Sequence, residues 1–177
     1  LAVWENGFRH ITNNIRPIVE PEDLKGIKLR TPRGIWRIRM FQNFGANPTP
    51  MALSEVFMAL QTGVMDGQEN PFTQIYSNKF QEVQKFLSLT GHVYTPAFLT
   101  VGKDKWAELP AEIRRILEET SRQLQEFVYQ QAVQLEEDLL RRIKTSGVSI
   151  NRADRERFVE ASQPIYEQFG AKIPEAT

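Results

Sequence analysis

The spacing of apolar positions changes along the chain, and with it the element that each segment predicts. Leu1 to Trp4 reads as a strand leading to a bend at Asn6-Gly7, and Phe8 to Thr12 as a second strand. Pro21 to Gly26 reads as a one-turn helix closed by Gly26, which tolerates the left-handed conformation. Ile27-Lys-Leu-Arg30 alternates apolar and basic, the period of a half-buried strand. Thr31-Pro32 predicts a helix start, with Thr as cap and Pro at the first helical position. That helix runs to about Phe44, with Ile35, Ile38 and Phe41 on one side and Trp36 and Met40 widening the apolar face. Asn47 to Pro50 is an extended turn. Ser54 caps a helix through Leu60, and Val64-Met65 is a short strand. Asp66 to Pro71 reads as a polar turn, with Pro71 opening a third helix to about Val83. Phe86 to Leu89 and Tyr94 to Val101 read as strands. Strands and helices alternating at this length predict an α/β domain.

A different pattern follows. From Pro110 or Ala111 to Thr145 there is no Gly or Pro, and Ile113, Ile116, Leu117, Leu124, Phe127, Val128, Leu135, Leu139 and Ile143 keep a helical stripe. Glu112 near its start and Arg141, Arg142 and Lys144 near its end suit the helix dipole. Such a helix is about 52 Å long, against about 40 Å for the diameter of a compact body of this size. It must bend, protrude or pack on something beyond this chain. Val148 to Ile150 reads as a strand and Asp154 to Phe169 as a last helix.

Charge adds an asymmetry. The 177 residues balance 22 basic against 22 acidic side chains, which argues against bulk binding of nucleic acid or anionic membrane. The first fifty residues are basic: Arg9, Arg16, Lys25, Lys28, Arg30, Arg33, Arg37 and Arg39 against Glu5, Glu20, Glu22 and Asp23. An anionic ligand would prefer that part. The absence of cysteine removes thiolate nucleophiles, thiolate metal sites and disulfides. No apolar run approaches the roughly 20 residues that span a bilayer, and no basic-then-apolar signal peptide is seen. Leu1 is not an initiator Met, which fits a processed chain or a fragment.

Arg30 is the leading candidate. It lies at the carboxyl end of a strand and just before a helix, the edge where open α/β sheets bind ligands. A guanidinium grips a carboxylate through two parallel hydrogen bonds and stays charged at any working pH. The competing reading is a solvated strand arginine. Arg9 is a second basic candidate on a neighbouring strand. Asn70 offers both a donor and an acceptor, or else caps the helix at Pro71. Trp36 is either core or the wall of a cleft. Arg33, Arg37 and Arg39 read as a solvated basic face. Asp66 and Glu69 are the one conceivable acid–base pair, but they sit in a turn with nothing nearby to support that role. His10 and His92 do not read as a metal pair. Phosphate-loop, dinucleotide, nucleophile-elbow and zinc-protease motifs are absent from the sequence. Catalytic residues, metal ligands and cofactors are therefore not expected.

Taken together in order, several segments resemble the substrate-binding proteins of TRAP transporters, the DctP-type family. They are Asn6-Gly-Phe-Arg9, Asp23-Leu-Lys-Gly-Ile-Lys-Leu-Arg30, Gly45-Ala-Asn-Pro-Thr-Pro-Met51, Glu55-Val-Phe-Met-Ala-Leu-Gln-Thr-Gly63, Asp66-Gly-Gln-Glu-Asn-Pro71, Gln81 to Phe86, Thr90-Gly-His92 and Leu109-Pro110. The resemblance implies a periplasmic-binding-protein-like (type II) α/β fold with a long hinge-spanning helix. Residues 1–109 would be the second lobe with parts of the hinge strands, 110–146 the spanning helix, and 147–177 a C-terminal strand and helix. The family's chains are longer, so most of the first lobe would precede Leu1. The resemblance further implies periplasmic capture of a carboxylate-containing organic acid and its delivery to the permease subunits of the transporter. Arg30 is the implied anchor, and Arg9 and Asn70 are implied cleft contacts, with Trp36 lining the rest. Catalysis is not implied. Leu53 stands where some relatives carry an aromatic, which leaves the acid unidentified. The alternative is a helix-mediated dimerisation module that binds no ligand.

Overall fold

The computed structural model describes residues 1–172; the last residues of the segment 147–177 lie outside them. One mixed six-stranded sheet organises the chain, in the order β3-β2-β4-β1-β5-β6. The strands are β1 (Ala2–Asn13), β2 (Lys28–Thr31), β3 (Asn47–Pro50), β4 (Gly67–Asn70), β5 (Phe86–Leu99) and β6 (Ser149–Arg152). The helices are α1 (Ile35–Asn43), α2 (Leu53–Gln61), α3 (Phe72–Ser77), α4 (Lys103–Glu108), α5 (Ala111–Thr145) and α6 (Arg155–Gly170). Strand β2 runs parallel to β3 and β4, while β1 is antiparallel to β4 and β5.

Helices cover both faces of the sheet. On one, Ile11, Leu29, Met40, Phe41, Phe44 and Phe158 join α1 and α6 to the strands. On the other, Val56, Leu60, Phe72, Ile75, Leu87, Leu139 and Ile143 join α2, α3 and the end of α5. The alternation of β2 does what its pattern predicts. Ile27 and Leu29 enter the first core, and Arg30 takes the opposite face at the carboxyl end of the strand.

Several boundaries differ from expectation for definable reasons. The two strands expected before Asn13 are one strand that absorbs the Asn6-Gly7 bend as a bulge between Glu5 and Phe8, where Gly7 takes φ 100°. Its partner β5 is likewise continuous from Phe86 to Leu99. Thr31 does not cap a helix. It ends β2, because the residue before Pro32 is held extended, and α1 starts later, at Ile35. Ile35 itself is exposed, so the apolar face of α1 rests on Met40 and Phe41. Ala52 rather than Ser54 occupies the cap of α2, and its N–H donates to Glu55 Oε2 at 3.1 Å. Asn47 to Pro50 is a strand and not a turn; its prolines are tolerated because β3 is the sheet edge. The third helix stops at Ser77, and Lys79 turns left-handed (φ 57°) before one 3-10 turn at Phe80–Glu82. Helix α4 carries no buried residue and gave no apolar signal.

The largest departure is at Asp66–Pro71. The expected turn is an inner strand, β4, all four residues of which are buried. The Val64-Met65 strand is absent, and Met65 joins the core instead. At Gly67 a Cβ would overlap the Thr12 carbonyl oxygen, so β4 lies against β1 at a spacing only glycine allows.

Helix α5 has the expected limits and 35 residues. Its last turns are packed, with Leu139 and Ile143 buried, but Ile113, Ile116, Leu117, Leu124, Phe127 and Leu135 are exposed. Among the described residues, no helix is long and apolar enough to cross a membrane.

Candidate functional site

The site grows from the end of β4. Pro71 has no N–H to continue the ladder, so pairing with β1 ends at His10 opposite Asn70. Arg9 is the next residue along β1 and lies just past that end. Its guanidinium wraps the strand terminus. Nε donates to Glu69 Oε2 at 2.5 Å, and Nη2 donates to the Glu69 carbonyl at 2.7 Å, to Glu69 Oε1 at 3.0 Å and to Asn70 Oδ1 at 2.9 Å. Asn70 is thereby fixed from one side, and its amide donates to Gln68 Oε1 at 2.5 Å on the other. Gln68 donates in turn to Thr12 Oγ1. The N-terminal cap of α3 is Pro71 and receives no side-chain hydrogen bond, so Asn70 does not cap that helix.

Glu69 pairs with Ile11 across the strands and shares its face, toward α1. Its side chain has no exposed surface. Besides Arg9, it accepts both oxygens' bonds from Arg37 Nη1, at 2.9 and 3.0 Å. His92 Nε2 approaches Oε2 at 3.2 Å. A carboxylate only accepts, so this nitrogen carries the proton and Nδ1 accepts from the Thr90 hydroxyl at 2.6 Å. Burial alone would raise the Glu69 pKa, but the His92 hydrogen bond and the charges and hydrogen bonds of Arg9 and Arg37 bring it down to about 2. Glu69 is therefore ionised at neutral pH. Burial pushes His92 down, with the pull of Glu69 in the other direction and Arg37 and Arg9 reinforcing the fall. His10, stacked on Phe72 and accepting from Gly91 N–H, is lowered to about 3 by burial and by His92. Both imidazoles are neutral.

Arg30 is buried, and Nε and Nη2 both donate to the Met51 carbonyl, at 3.0 and 2.6 Å. One carbonyl thus holds one edge of the guanidinium. Burial lowers the Arg30 pKa, while the charge of Glu69 raises it and that of Arg9 lowers it further. An arginine stays charged through such shifts. Among the described residues, Nη1 of neither Arg9 nor Arg30 makes a hydrogen bond. Buried polar side-chain atoms without partners are there confined to Trp4 Nε1, Glu5 Oε1, Thr31 Oγ1 and Gln81 Oε1. Both Nη1 groups therefore reach solvent.

The structure brings Arg9 and Asn70 into direct contact, and Arg30 stands on the neighbouring strand, opposite Gln68 and bonded to the Met51 carbonyl. Trp36 shares none of these hydrogen bonds, although together with Arg37 it lines a small cavity between α1 and α6. Its ring meets Phe169 of α6 edge-on at 5.2 Å, with Arg39 and Lys172 over its faces. Glu69, Arg37 and His92 join this cluster, although the sequence reading weighs each for another role and sets it aside. Arg37 is no solvated surface charge, and Glu69 lies in no turn. The available signal was the helical offset of Arg37 from Arg33 and the polar run itself, neither of which carries direction. Beside the cluster lies a largely apolar cavity of 240 Å³, lined by Gly7, Pro71, Phe72, Phe127, Leu135 and Glu136 among others, and by none of the arginines. Among the described residues, no group of three or more His, Asp or Glu is placed to hold a metal ion.

The chain resembles proteins of known kind along nearly its whole length. A solute-binding protein of Verminephrobacter eiseniae is 41% identical over 177 residues, covering 99% of this chain and 53% of that one. The 2,3-diketo-L-gulonate-binding periplasmic protein YiaO of Escherichia coli is 37% identical, covering 99% and 54%. A TRAP periplasmic solute-binding protein from Sulfitobacter sp. NAS-14.1, solved with bound β-D-galacturonate, superposes with a TM-score of 0.94 at 32% identity, covering 99% of this chain and 58% of that one. The chain spans about half the length of the curated relatives it matches. The family model for bacterial extracellular solute-binding protein, family 7 (DctP) matches residues 1–173, and the chain belongs to that family of solute receptors.

Proposed function

We propose that this protein captures a carboxylate-bearing organic acid, of the sugar-acid type, with Arg30 and Arg9 as joint anchors and Asn70 as a neighbouring polar contact. One observation carries the reading. The cluster holds three guanidinium groups, Arg9, Arg30 and Arg37, against one carboxylate, Glu69, and two of the three turn an unused Nη1 edge to solvent. Buried positive charge in excess attracts an anion, and paired guanidinium donors suit a carboxylate. The sugar acids named for YiaO and the Sulfitobacter protein fit that chemistry. Trp36 belongs to the packing of α6 in this reading and leaves the ligand to the arginines.

In the complete protein, residues 1–109 serve as the second lobe, 110–146 as a helix crossing between lobes, and 147–177 as a strand and helix closing the sheet. The exposed apolar residues of α5 support a further packing partner for that helix. The protein works outside the cytoplasm, in the periplasm, releases its ligand chemically unchanged, and hands it to the permease subunits of a TRAP transporter. Calorimetry of the full-length protein against aldonates, uronates and C4-dicarboxylates tests this. One class binds, and Arg30→Ala lowers its affinity by roughly 100-fold, the order expected for a lost charge-assisted pair. Unchanged affinity in that variant removes Arg30 as anchor. A ligand-independent dimer in sedimentation, with no acid bound, replaces the proposal with a helix-mediated interaction module.

A further inference from the structure

We infer that Arg37 is a positioning residue that leaves the charge of Arg9 available to the ligand, an inference that rests on the reading of Arg9 and Arg30 as anchors. Arg9 and Glu69 alone make a fork-to-fork pair, with Nε on one oxygen and Nη2 on the other. Such a pair is electrically closed, and an arriving carboxylate would meet the Glu69 charge almost as strongly as that of Arg9. Arg37 changes the count. It reaches Glu69 from α1 and bridges both oxygens through Nη1. The groups that face Glu69 and His92 are Arg9 and His10 from β1, Arg37 and the Phe41 ring from α1, Thr90 from β5, and Arg30 through space from β2. The imidazoles are neutral, so Arg37 is the group that answers Glu69 and leaves Arg9 unopposed. Arg37 touches no ligand in this scheme. It acts through Glu69.

The same geometry names a substitute. His92 shares Oε2 with Arg9, and Arg37 is one of the charges that oppose protonation of its ring. With Arg37 gone, burial still disfavours the charged ring, but one opposing charge is removed and the pull of Glu69 on a proton is less offset.

The test uses the full-length protein, Arg37→Gln and Arg37→Lys, with D-galacturonate as probe. Nitrogen-resolved imidazole spectra of His92 are recorded without ligand, and dissociation constants are measured from pH 5.5 to 8. In the wild type His92 stays neutral and affinity is flat with pH. In Arg37→Gln, His92 titrates at higher pH, affinity at pH 8 falls roughly 10- to 100-fold, and it recovers as pH falls. Arg37→Lys restores both. An unshifted His92 overturns the inference, as does an affinity loss in Arg37→Gln without pH dependence, which would mark simple structural damage. If the wild type binds no sugar acid, the functional reading fails, while the His92 spectra still decide the role of Arg37. Should Arg37→Gln not fold, an Arg37→Lys protein that binds as poorly as Arg9→Ala overturns the inference.

Discussion

Strands β2 and β4 lie side by side, run parallel, and each carries one buried charge near its carboxyl end. They compensate those charges in opposite ways. Arg30 on β2 meets one backbone carbonyl, so most of its charge remains unanswered. Glu69 on β4 meets two guanidiniums and an imidazole, more than one carboxylate needs. The difference separates two jobs. A buried charge matched within the fold contributes to stability and defines geometry, whereas one left unmatched lowers stability and waits for a ligand.

The largest effect should come from breaking the matched side. Glu69→Ala strands Arg9 and Arg37 against each other in a buried site, and should cost about 3–5 kcal/mol in urea unfolding. If it unfolds like the wild type, Glu69 is not what holds the cluster. Acid should act on the same side, at somewhat smaller size. The folded pKa of Glu69, about 2, lies below its ordinary 4.5, so its contribution is complete above 4.5 and lost as pH falls toward 2. That loss is on the order of 3 kcal/mol. His10, neutral when folded with a pKa of about 3 against 6.5, adds a decline in the same direction that begins nearer pH 6.5. Unfolding midpoints measured from pH 7 to 3 should fall steadily, and His10→Phe should remove the upper part of the slope. The smallest effect sharpens the contrast. Arg30→Met, which removes the unmatched charge, should leave the stability unchanged or raise it by about 1 kcal/mol while abolishing ligand binding. A large destabilisation there would place Arg30 with the structural charges.

The same two strands show what was legible from sequence. Ile27 and Leu29 pack on apolar side chains, and alternation registers that, so β2 and the position of Arg30 at its end were readable. Gln68, Glu69 and Asn70 are buried by hydrogen bonds to Arg9, Arg37, His92 and Thr12 that come from three other elements. A polar strand stabilised by partners far away in sequence has no local period, and Gly67 and Pro71 at its ends made it look like a turn. The misreading of Arg37 follows from that of β4, because its partner was taken to be on the surface. Helix α5 was readable to within a residue, since its stripe, its end charges and Gly147 all agree. Trp36 shows the converse limit. Its apolar character was visible, but which side of α1 meets α6 was not.

Gly67 sets the terms on which this receptor can change its preferences. With no room for even a methyl group against the Thr12 carbonyl, β4 cannot slide, tilt or be rebuilt without detaching from β1. Glu69 and Asn70 are therefore presented at a fixed height and angle. On the proposed function, adaptation to a different acid would fall to side chains around the strand floor rather than to the strand itself.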